Sequence, residues 1–289
     1  MKITFSFGKN WLRYVKYILD ETIIQNASNS LQNFLPQIDF KDYVFLDIGC
    51  GSGLFSLCAQ RLGAKRVISF DLDANSIKAS KLCQERFAPN STNWQIKQGN
   101  ILDDELVSNL SQELKNDKVI VYSWGVLHHT GDVFKAMANT AKIAKKEGSL
   151  VYISIYNQTE ASDFWLKIKR YYNQTNPIMK FLLVLADTAF LTFEDIRKGR
   201  GLNMYDKSRG MYKITDVTDW LGGLPYEPLK ADELIAFWQK QGFESIKFAP
   251  TRYHEPIYPK SFFYKYFVYF KQVGLGCNEY LFRSIPCAD

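Results

Sequence analysis

Short apolar runs alternate with segments of helical periodicity along most of this 289-residue chain. A short run rich in β-branched and aromatic residues predicts a buried strand, whereas apolar residues spaced by three and four predict the inner face of a helix. Runs of the first kind lie at 43–46, 67–70, 94–97, 118–122, 150–155, 245–249 and 277–283. Strands and helices therefore alternate, which predicts an α/β fold built on a largely parallel sheet.

The turn after the first strand carries the clearest chemical signal. Asp47 ends the strand, and glycines follow it at positions 49, 51 and 53 before a helical pattern begins. Glycines let a turn adopt positive φ and let a ligand approach bare backbone, while a helix N-terminus attracts anionic groups. The second strand ends in another acid, Asp71, which could accept hydrogen bonds from both hydroxyls of a ribose. This arrangement predicts a nucleoside site.

Two details bear on which nucleoside is bound. The dinucleotide fingerprint needs a third glycine three residues after the second, and Leu54 occupies that position. Asp47, two residues before Gly49, would repel a pyrophosphate but would attract the free amino group of a sulfonium ligand. An NAD(P)-dependent oxidoreductase remains the alternative enzyme, and a binding subunit without catalysis remains the alternative outside the enzymes.

The motif LDIGCGSG, followed by SFDLD at the end of the second strand, resembles the first two motifs of class I S-adenosylmethionine-dependent methyltransferases. The resemblance implies a Rossmann-like sheet of about seven strands, with the last strand antiparallel and helices on both faces. It also implies S-adenosylmethionine as the cofactor and S-adenosylhomocysteine as the product. The cofactor contacts that it implies are Asp47, Gly49, Cys50, Gly51, Gly53, Asp71, Leu72, Asn100, Ile101, Ser123 and Trp124.

The fourth strand leads into the sequence VLHH at 126–129, close to the expected position of the methyl group. An imidazole has an ordinary pKa near 6.5, so His129 is a candidate base for an acceptor hydroxyl. We expect His128 to be structural, because adjacent histidines cannot face a site in the same way. His254 is an alternative base. A base is needed only for a hydroxyl acceptor. We expect O-methylation, while nitrogen and a phosphate-type oxygen remain open as acceptor atoms.

The same strand end argues against a nucleic-acid base as the acceptor. Enzymes that methylate exocyclic amines of DNA bases carry Asp/Asn-Pro-Pro-aromatic here, and those that methylate cytosine carbon carry Pro-Cys. The sequence SWGV at 123–126 matches neither pattern. The net charge of +6 is scattered along the chain and does not by itself indicate nucleic acid.

Three regions are expected: an N-terminal helical lid at 1–40, a methyltransferase core at 41–157 and 230–289, and a mainly helical insertion at 158–229. The RGM and DWLGG-P-E stretches of the insertion, with the final GLGCNEY, resemble a bacterial subgroup associated with small molecules and surface glycans. We therefore expect a small-molecule or glycan-precursor acceptor. The candidate substrate contacts are Lys9, Trp11, Tyr156, Arg209, Trp220 and His254, although Trp11 could simply anchor its helix.

The remaining signals concern location and partners. Five cysteines without a CxxC pair predict reduced thiols in a cytoplasmic protein and no metal site. The apolar run at 181–193 is interrupted by Asp187 and is too short to span a bilayer. The aromatic, lysine-containing segment 253–270 could cover the substrate pocket, contact a second copy of the chain or lie at a membrane interface.

Overall fold

A computed structural model describes residues 7–197, 199, 201–202, 204–206, 211–250 and 276–286. Its strands are β1 (Tyr43–Ile48), β2 (Arg66–Asp71), β3 (Trp94–Gln98), β4 (Lys118–Trp124), β5 (Leu150–Tyr156), β6 (Tyr205–Asp206), β7 (Met211–Tyr212), β8 (Phe243–Ala249) and β9 (Cys277–Ser284). Its helices are α1 (Gly8–Tyr17), α2 (Glu21–Phe34), α3 (Leu54–Arg61), α4 (Ala74–Phe87), α5 (Asp104–Glu113), α6 (Val133–Ile143), α7 (Ser162–Gln174), α8 (Pro177–Arg197), α9 (Lys213–Gly222) and α10 (Ala231–Lys240).

The seven-stranded sheet has the order β3-β2-β1-β4-β5-β9-β8. Strands β1 to β5 pair in parallel, whereas β9 is antiparallel to both β5 and β8. The predicted fold class is therefore confirmed, including the antiparallel last strand. The strand order reverses between β1 and β4, and the crevice at the carboxyl ends of these two strands is where open α/β sheets bind ligands.

The hydrophobic core covers both faces of the sheet. Apolar side chains of the parallel strands are buried on both sides, so those strands read as continuous apolar runs rather than alternating ones. Near the β8 edge, the fully buried indole of Trp238 stacks on Phe282 with ring centroids 5.1 Å apart. The edge of the same indole meets Phe243, also at 5.1 Å.

The N-terminal segment forms two helices, whereas the apolar periodicity from Trp11 to Ile23 predicted one continuous helix. The chain leaves α1 after Tyr17 and begins α2 at Glu21. The side chain of Asp20 accepts a hydrogen bond from the backbone N–H of Ile23 at 2.8 Å and so caps the second helix. Because Asp20 has an extended backbone, one continuous helix cannot run through this position.

The insertion contributes α7, α8 and α9 above the carboxyl end of β5. The predicted break between its first two helices is present, with α8 beginning at Pro177. The third helix was not predicted from the sequence, and it ends at Gly222. Helices α7 and α9 bury a small apolar cluster of their own around Trp165 and Leu221. Of the helices that the structure describes, none combines the length and apolarity needed to cross a bilayer.

Candidate active site

The glycine-rich turn is held against the neighbouring strand by backbone hydrogen bonds. The N–H groups of Gly49 and Cys50 both donate to the carbonyl of Phe70 in β2, at 2.8 and 3.1 Å. Gly49, Gly51 and Gly53 have φ values of 74°, 52° and 77°, which L side chains rarely adopt. The turn therefore places the N-terminus of α3 beside the end of β2, as the sequence predicted.

The space that each glycine leaves is filled by the protein itself. A β-carbon built on Gly49 would lie 2.4 Å from Cγ1 of Val126, and one on Gly51 would lie 3.0 Å from Nε1 of Trp11. At Gly53 it would lie 3.0 Å from Cα of Ser80. Their missing side chains leave room for the loop after β4, for α1 and for α4. The expected approach of a ligand to the backbone of these glycines stays a prediction.

Asp71 ends β2 with its carboxylate turned toward the glycine turn. Oδ2 accepts a hydrogen bond from the N–H of Gly51 at 3.0 Å, and Oδ1 accepts one from the N–H of Asp73 at 2.8 Å. Burial raises the pKa of Asp71, and these backbone donors partly offset that rise. The hydroxyl of Ser76 also hydrogen-bonds to this carboxylate, so its lone-pair positions are only partly left for further donors such as vicinal hydroxyls.

Asp47 lies beneath the turn, and its side chain is almost fully buried. A chain of donors reaches it: Trp94 Nε1 donates to Ser69, the Ser69 hydroxyl bonds to Ser56 at 2.7 Å, and Ser56 donates to Oδ2 of Asp47 at 2.5 Å. The contact that the structure provides for this carboxylate is therefore internal. Its expected contact with the amino group of the cofactor stays a prediction.

Burial raises the pKa of Asp47 from an ordinary value of 3.8 to about 7, although Ser56 opposes this shift. Between these values the folded protein binds a proton that the unfolded chain has released, so stability falls as pH rises. We expect the free energy of unfolding of wild type, measured in urea from pH 4 to 7, to fall by up to ~1.4 kcal/mol per pH unit relative to that of Asp47→Asn. A difference between the two proteins that does not change with pH would contradict the raised pKa of Asp47. Asp42→Asn, at an exposed carboxylate, reports the effect of removing a surface charge.

Several predicted cofactor contacts are already engaged with neighbouring residues. The amide oxygen of Asn100 accepts a hydrogen bond from the N–H of Leu102 at 2.9 Å, which leaves one lone pair. The hydroxyl of Ser123 donates to the carbonyl of Ile48 at 3.0 Å. The remaining members of the predicted set differ in environment: Ile101 is buried, Leu72 is 43% exposed, Cys50 contacts Ser80 at 3.2 Å, and Trp124 donates to Glu279 at 2.9 Å.

The two histidines after β4 have different environments and different tautomers. Nδ1 of His128 accepts a hydrogen bond from the N–H of Tyr156 at 3.3 Å, so the proton of its neutral ring lies on Nε2. Nδ1 of His129 lies 2.5 Å from the carbonyl of Pro225 and donates to it, so Nε2 keeps a lone pair. Burial lowers the pKa of His128 well below its usual range and that of His129 to about 4. Both rings are therefore neutral at pH 7.

Helix α1 covers the turn and also reaches the insertion. The N–H of Gly8 donates to Oδ2 of Asp73, two residues after Asp71, at 3.1 Å. In the first turn of α1, the side-chain amide of Asn10 donates a hydrogen bond to Oδ1 of Asp219 in α9 at 2.7 Å. Burial raises the pKa of Asp219 to about 7 against the effect of this hydrogen bond. Helix α1, the predicted lid, thus contacts both the turn after β2 and α9 of the insertion.

Within α1, the structure changes which residues point inward. Trp11 lies against Gly51, but Lys9 is exposed, and Asn10 rather than Lys9 reaches the insertion. Just before the helix, the ring of Phe7 lies 5.6 Å from that of His129. Phe7 and Asn10 carried no distinguishing local signal in the sequence.

Tyr156, at the end of β5, lies at the centre of an aromatic cluster on the substrate side. Its ring centroid is 4.2 Å from that of His128, 5.2 Å from Trp220 and 5.5 Å from Tyr226. Trp165 joins the cluster through Trp220 at 5.5 Å. The structure therefore brings together Tyr156, Trp220, His128 and His129, whereas the predicted roles of Tyr156 and Trp220 as substrate contacts and of His129 as base stay predictions. Arg209, His254 and the segment 253–270 lie outside the described residues.

A buried lysine completes this cluster. Lys169 of α7 is fully buried, donates to the backbone carbonyl of Trp220 and lies 3.7 Å from that indole's ring centroid. Burial lowers its pKa well below the usual range, although the charge of Asp187 opposes the shift. Sequence reasoning missed Lys169. The signal was its position on the apolar face of α7, four residues after Trp165 and three before Tyr172.

Comparison with known proteins adds to this geometry. Residues 28–154 match the family model of ribosomal protein L11 methyltransferase (PrmA). A relative described as ribosomal protein L11 methyltransferase, from Alkaliphilus metalliredigens, is 33% identical over 134 residues, which are 39% of this chain and 41% of the relative. The chain thus spans about two fifths of that protein's length. The matched residues cover α2 to β5, which include the glycine turn and Asp71 but not the insertion.

Solved structures show the same fold along nearly the whole chain. An S-adenosylmethionine-dependent methyltransferase from Anabaena variabilis has a TM-score of 0.53 at 10% identity, covering 98% of this chain and 96% of that one. Magnesium protoporphyrin IX methyltransferase from Synechocystis PCC 6803, solved with bound S-adenosylhomocysteine, has a TM-score of 0.50 at 13% identity, covering 96% and 95%. The predicted resemblance to class I S-adenosylmethionine-dependent methyltransferases is confirmed.

Proposed function

Because the chain combines this fold with the sequence of its cofactor-binding half, we propose that it is an S-adenosylmethionine-dependent methyltransferase. The observation that carries the proposal is Asp71, which is half-buried at the end of β2 and faces the glycine turn with two backbone donors on its carboxylate. The match of residues 28–154 to a methyltransferase family favours this activity over an NAD(P)-dependent oxidoreductase.

The residues around the turn suit an adenosyl group. Asp71 would accept hydrogen bonds from the ribose hydroxyls, and Leu72 and Asn100 would lie toward the adenine. Trp11 would cover the group from the side of α1. When bound, S-adenosylmethionine supplies an activated methyl group, so the protein mainly has to align an acceptor with it.

For the acceptor, we propose a small molecule methylated on oxygen. The substrate side is bounded by α1, the β4 loop and α9, which meet through Asn10, Asp219 and His129. Such an enclosed site favours a small acceptor. The relatives are named as ribosomal protein L11 methyltransferases, so a protein acceptor is the second candidate, but the match to that family's model ends at residue 154, before α7, α8 and α9.

His129 is the residue that we propose as the proton acceptor. Its Nδ1–H is bound to Pro225, so Nε2 has the free lone pair that a base needs. A pKa of about 4 keeps the ring neutral at pH 7 but makes it a weak base. It would therefore suit an acidic hydroxyl, such as a phenol or an enol, better than an alcohol.

Replacement of Asp71 tests the proposed cofactor. We expect Asp71→Ala to weaken binding of S-adenosylhomocysteine by ~1–3 kcal/mol, the loss expected when a buried hydrogen-bonding partner is removed. Isothermal titration calorimetry measures this directly, with NADH titrated in parallel. Asp117→Ala is a matched control, because Asp117 pairs with Lys65 and precedes β4, at the amino ends of the parallel strands, whereas Asp71 lies at their carboxyl ends.

Two outcomes would contradict the proposal. Binding of NADH but not of S-adenosylhomocysteine by wild type would indicate the oxidoreductase. Unchanged S-adenosylhomocysteine affinity in Asp71→Ala would remove the ribose assignment. The predicted cytoplasmic location, the domain limits and a homo-oligomer remain predictions.

A further inference from the structure

The aromatic cluster around Tyr156 contains an excess of buried hydrogen-bond donors. Nε2 of His128 and the Nε1 atoms of Trp165 and Trp220 are buried and have no hydrogen-bond partner among the described residues. Each of these atoms carries a hydrogen, since the His128 proton lies on Nε2 and an indole nitrogen can only donate. Unpaired buried donors are costly, and such groups call for an explanation.

Lys169 adds a further donor beside these groups. The only hydrogen bond that the described residues give its Nζ is to the carbonyl of Trp220, although an amine carries at least two hydrogens. Its other neighbours include the ring faces of Trp220, Tyr226 and Tyr156, at 3.7, 5.0 and 5.7 Å from Nζ. Burial lowers the pKa of Lys169 well below its usual range and so favours the neutral amine, while the charge of Asp187 favours the ammonium.

The chemistry of these donors indicates the group that would satisfy them. A water molecule accepts only two hydrogen bonds and brings two hydrogens of its own, for which the buried hydroxyl of Tyr226 is an acceptor without a partner in the described part of the chain. A carboxylate brings no hydrogen and has about four lone-pair positions, so one such group could accept from several of these donors. Its negative charge would also favour the ammonium form of Lys169, which burial disfavours.

We propose that Lys169, with the N–H groups of His128 and Trp220, binds a carboxylate carried by the methyl acceptor. This inference rests on the proposed methyltransferase function and narrows its substrate to carboxylate-bearing small molecules. Lys169 is then a substrate-binding residue at the inner end of the acceptor site, while His129 faces the hydroxyl that receives the methyl group. The proposal gives the buried donors one common partner.

The test uses benzoate as the probe, with benzamide as its uncharged counterpart and inorganic phosphate as a different anion. Each is titrated into the full-length protein saturated with S-adenosylhomocysteine, and binding is followed by calorimetry and tryptophan fluorescence. We expect benzoate to bind about tenfold or more tightly than benzamide and phosphate, as a charge-assisted hydrogen bond would predict. Equal binding of benzoate and benzamide, or no benzoate binding, would overturn the proposal.

Variants assign the effect to the cluster. Lys169→Met should lose about tenfold or more of the benzoate affinity, whereas Lys167→Met, at an exposed lysine on the same helix, should lose none. Trp220→Phe keeps an aromatic ring but removes the indole N–H, so it should lower the affinity for benzoate severalfold. If Lys169→Met does not fold, as judged by circular dichroism, unchanged benzoate affinity in Trp220→Phe is sufficient to reject the proposal.

Titration of S-adenosylhomocysteine alone distinguishes failure of the carboxylate site from failure of the proposed methyltransferase function. A protein that binds S-adenosylhomocysteine but shows no preference for benzoate retains its proposed function and loses the carboxylate site. A protein that does not bind S-adenosylhomocysteine loses the proposed function itself.

Discussion

Replacing Gly49 by alanine is expected to lower the free energy of unfolding by roughly 2–5 kcal/mol, from left-handed backbone strain and from overpacking. The first contribution arises because Gly49 has φ of 74°. The second arises because the new methyl group would lie 2.4 and 2.6 Å from the two methyl groups of Val126. Urea unfolding monitored by circular dichroism measures the loss.

A second substitution separates these two contributions. Val126→Ala removes both methyl groups that meet the new β-carbon, so the double variant Gly49→Ala/Val126→Ala should recover the steric part of the loss. The part due to φ should remain, and the cycle of four proteins gives the coupling energy between the two positions. If the double variant is no more stable than the sum of the single variants predicts, the contact with Val126 is not the reason for the glycine.

Truncation of Trp238 to alanine should cost about 3–5 kcal/mol of unfolding free energy, the usual loss for removing a buried large aromatic side chain. The indole is fully buried, and the cavity would lie between α10, β8 and β9 because the ring packs on Phe243 and Phe282. Thermal and urea unfolding report the change.

The neighbouring residue in α10 provides the matched control. Phe237 is only partly buried, so Phe237→Ala should lose clearly less stability than Trp238→Ala. Equal losses would show that the β8 edge is not organised around Trp238. Since this edge lies far along the sheet from Asp71, the folded Trp238→Ala protein should keep its affinity for S-adenosylhomocysteine.

The features that the sequence could predict are those with a local cause. The strands follow from apolar runs, the turn at 49–53 follows from glycines that must adopt positive φ, and Asp71 is placed by the end of its own strand. The separation of α1 from α2 also has a local signal, because Asp20 is a good helix cap. The apolar periodicity from Trp11 to Ile23 runs across Asp20 and obscures this signal.

The features that the sequence could not predict depend on contacts between distant segments. Asn10 meets Asp219 across 209 positions, and nothing near either residue indicates its partner. The position of Lys169 on the apolar face of α7 is visible in the sequence, but its partner, the carbonyl of Trp220 in α9, is not. The filling of the glycine faces by Val126, Trp11 and Ser80 likewise requires the tertiary structure, because the turn alone would leave those faces open.

Helix α1 has a consequence for the order of events in a catalytic cycle. Gly8, at one end of the helix, is bonded to Asp73, and Asn10 reaches Asp219, so under the proposed function one helix would cover both the cofactor and the acceptor. Release of the methylated product and release of S-adenosylhomocysteine would then require the same movement of α1.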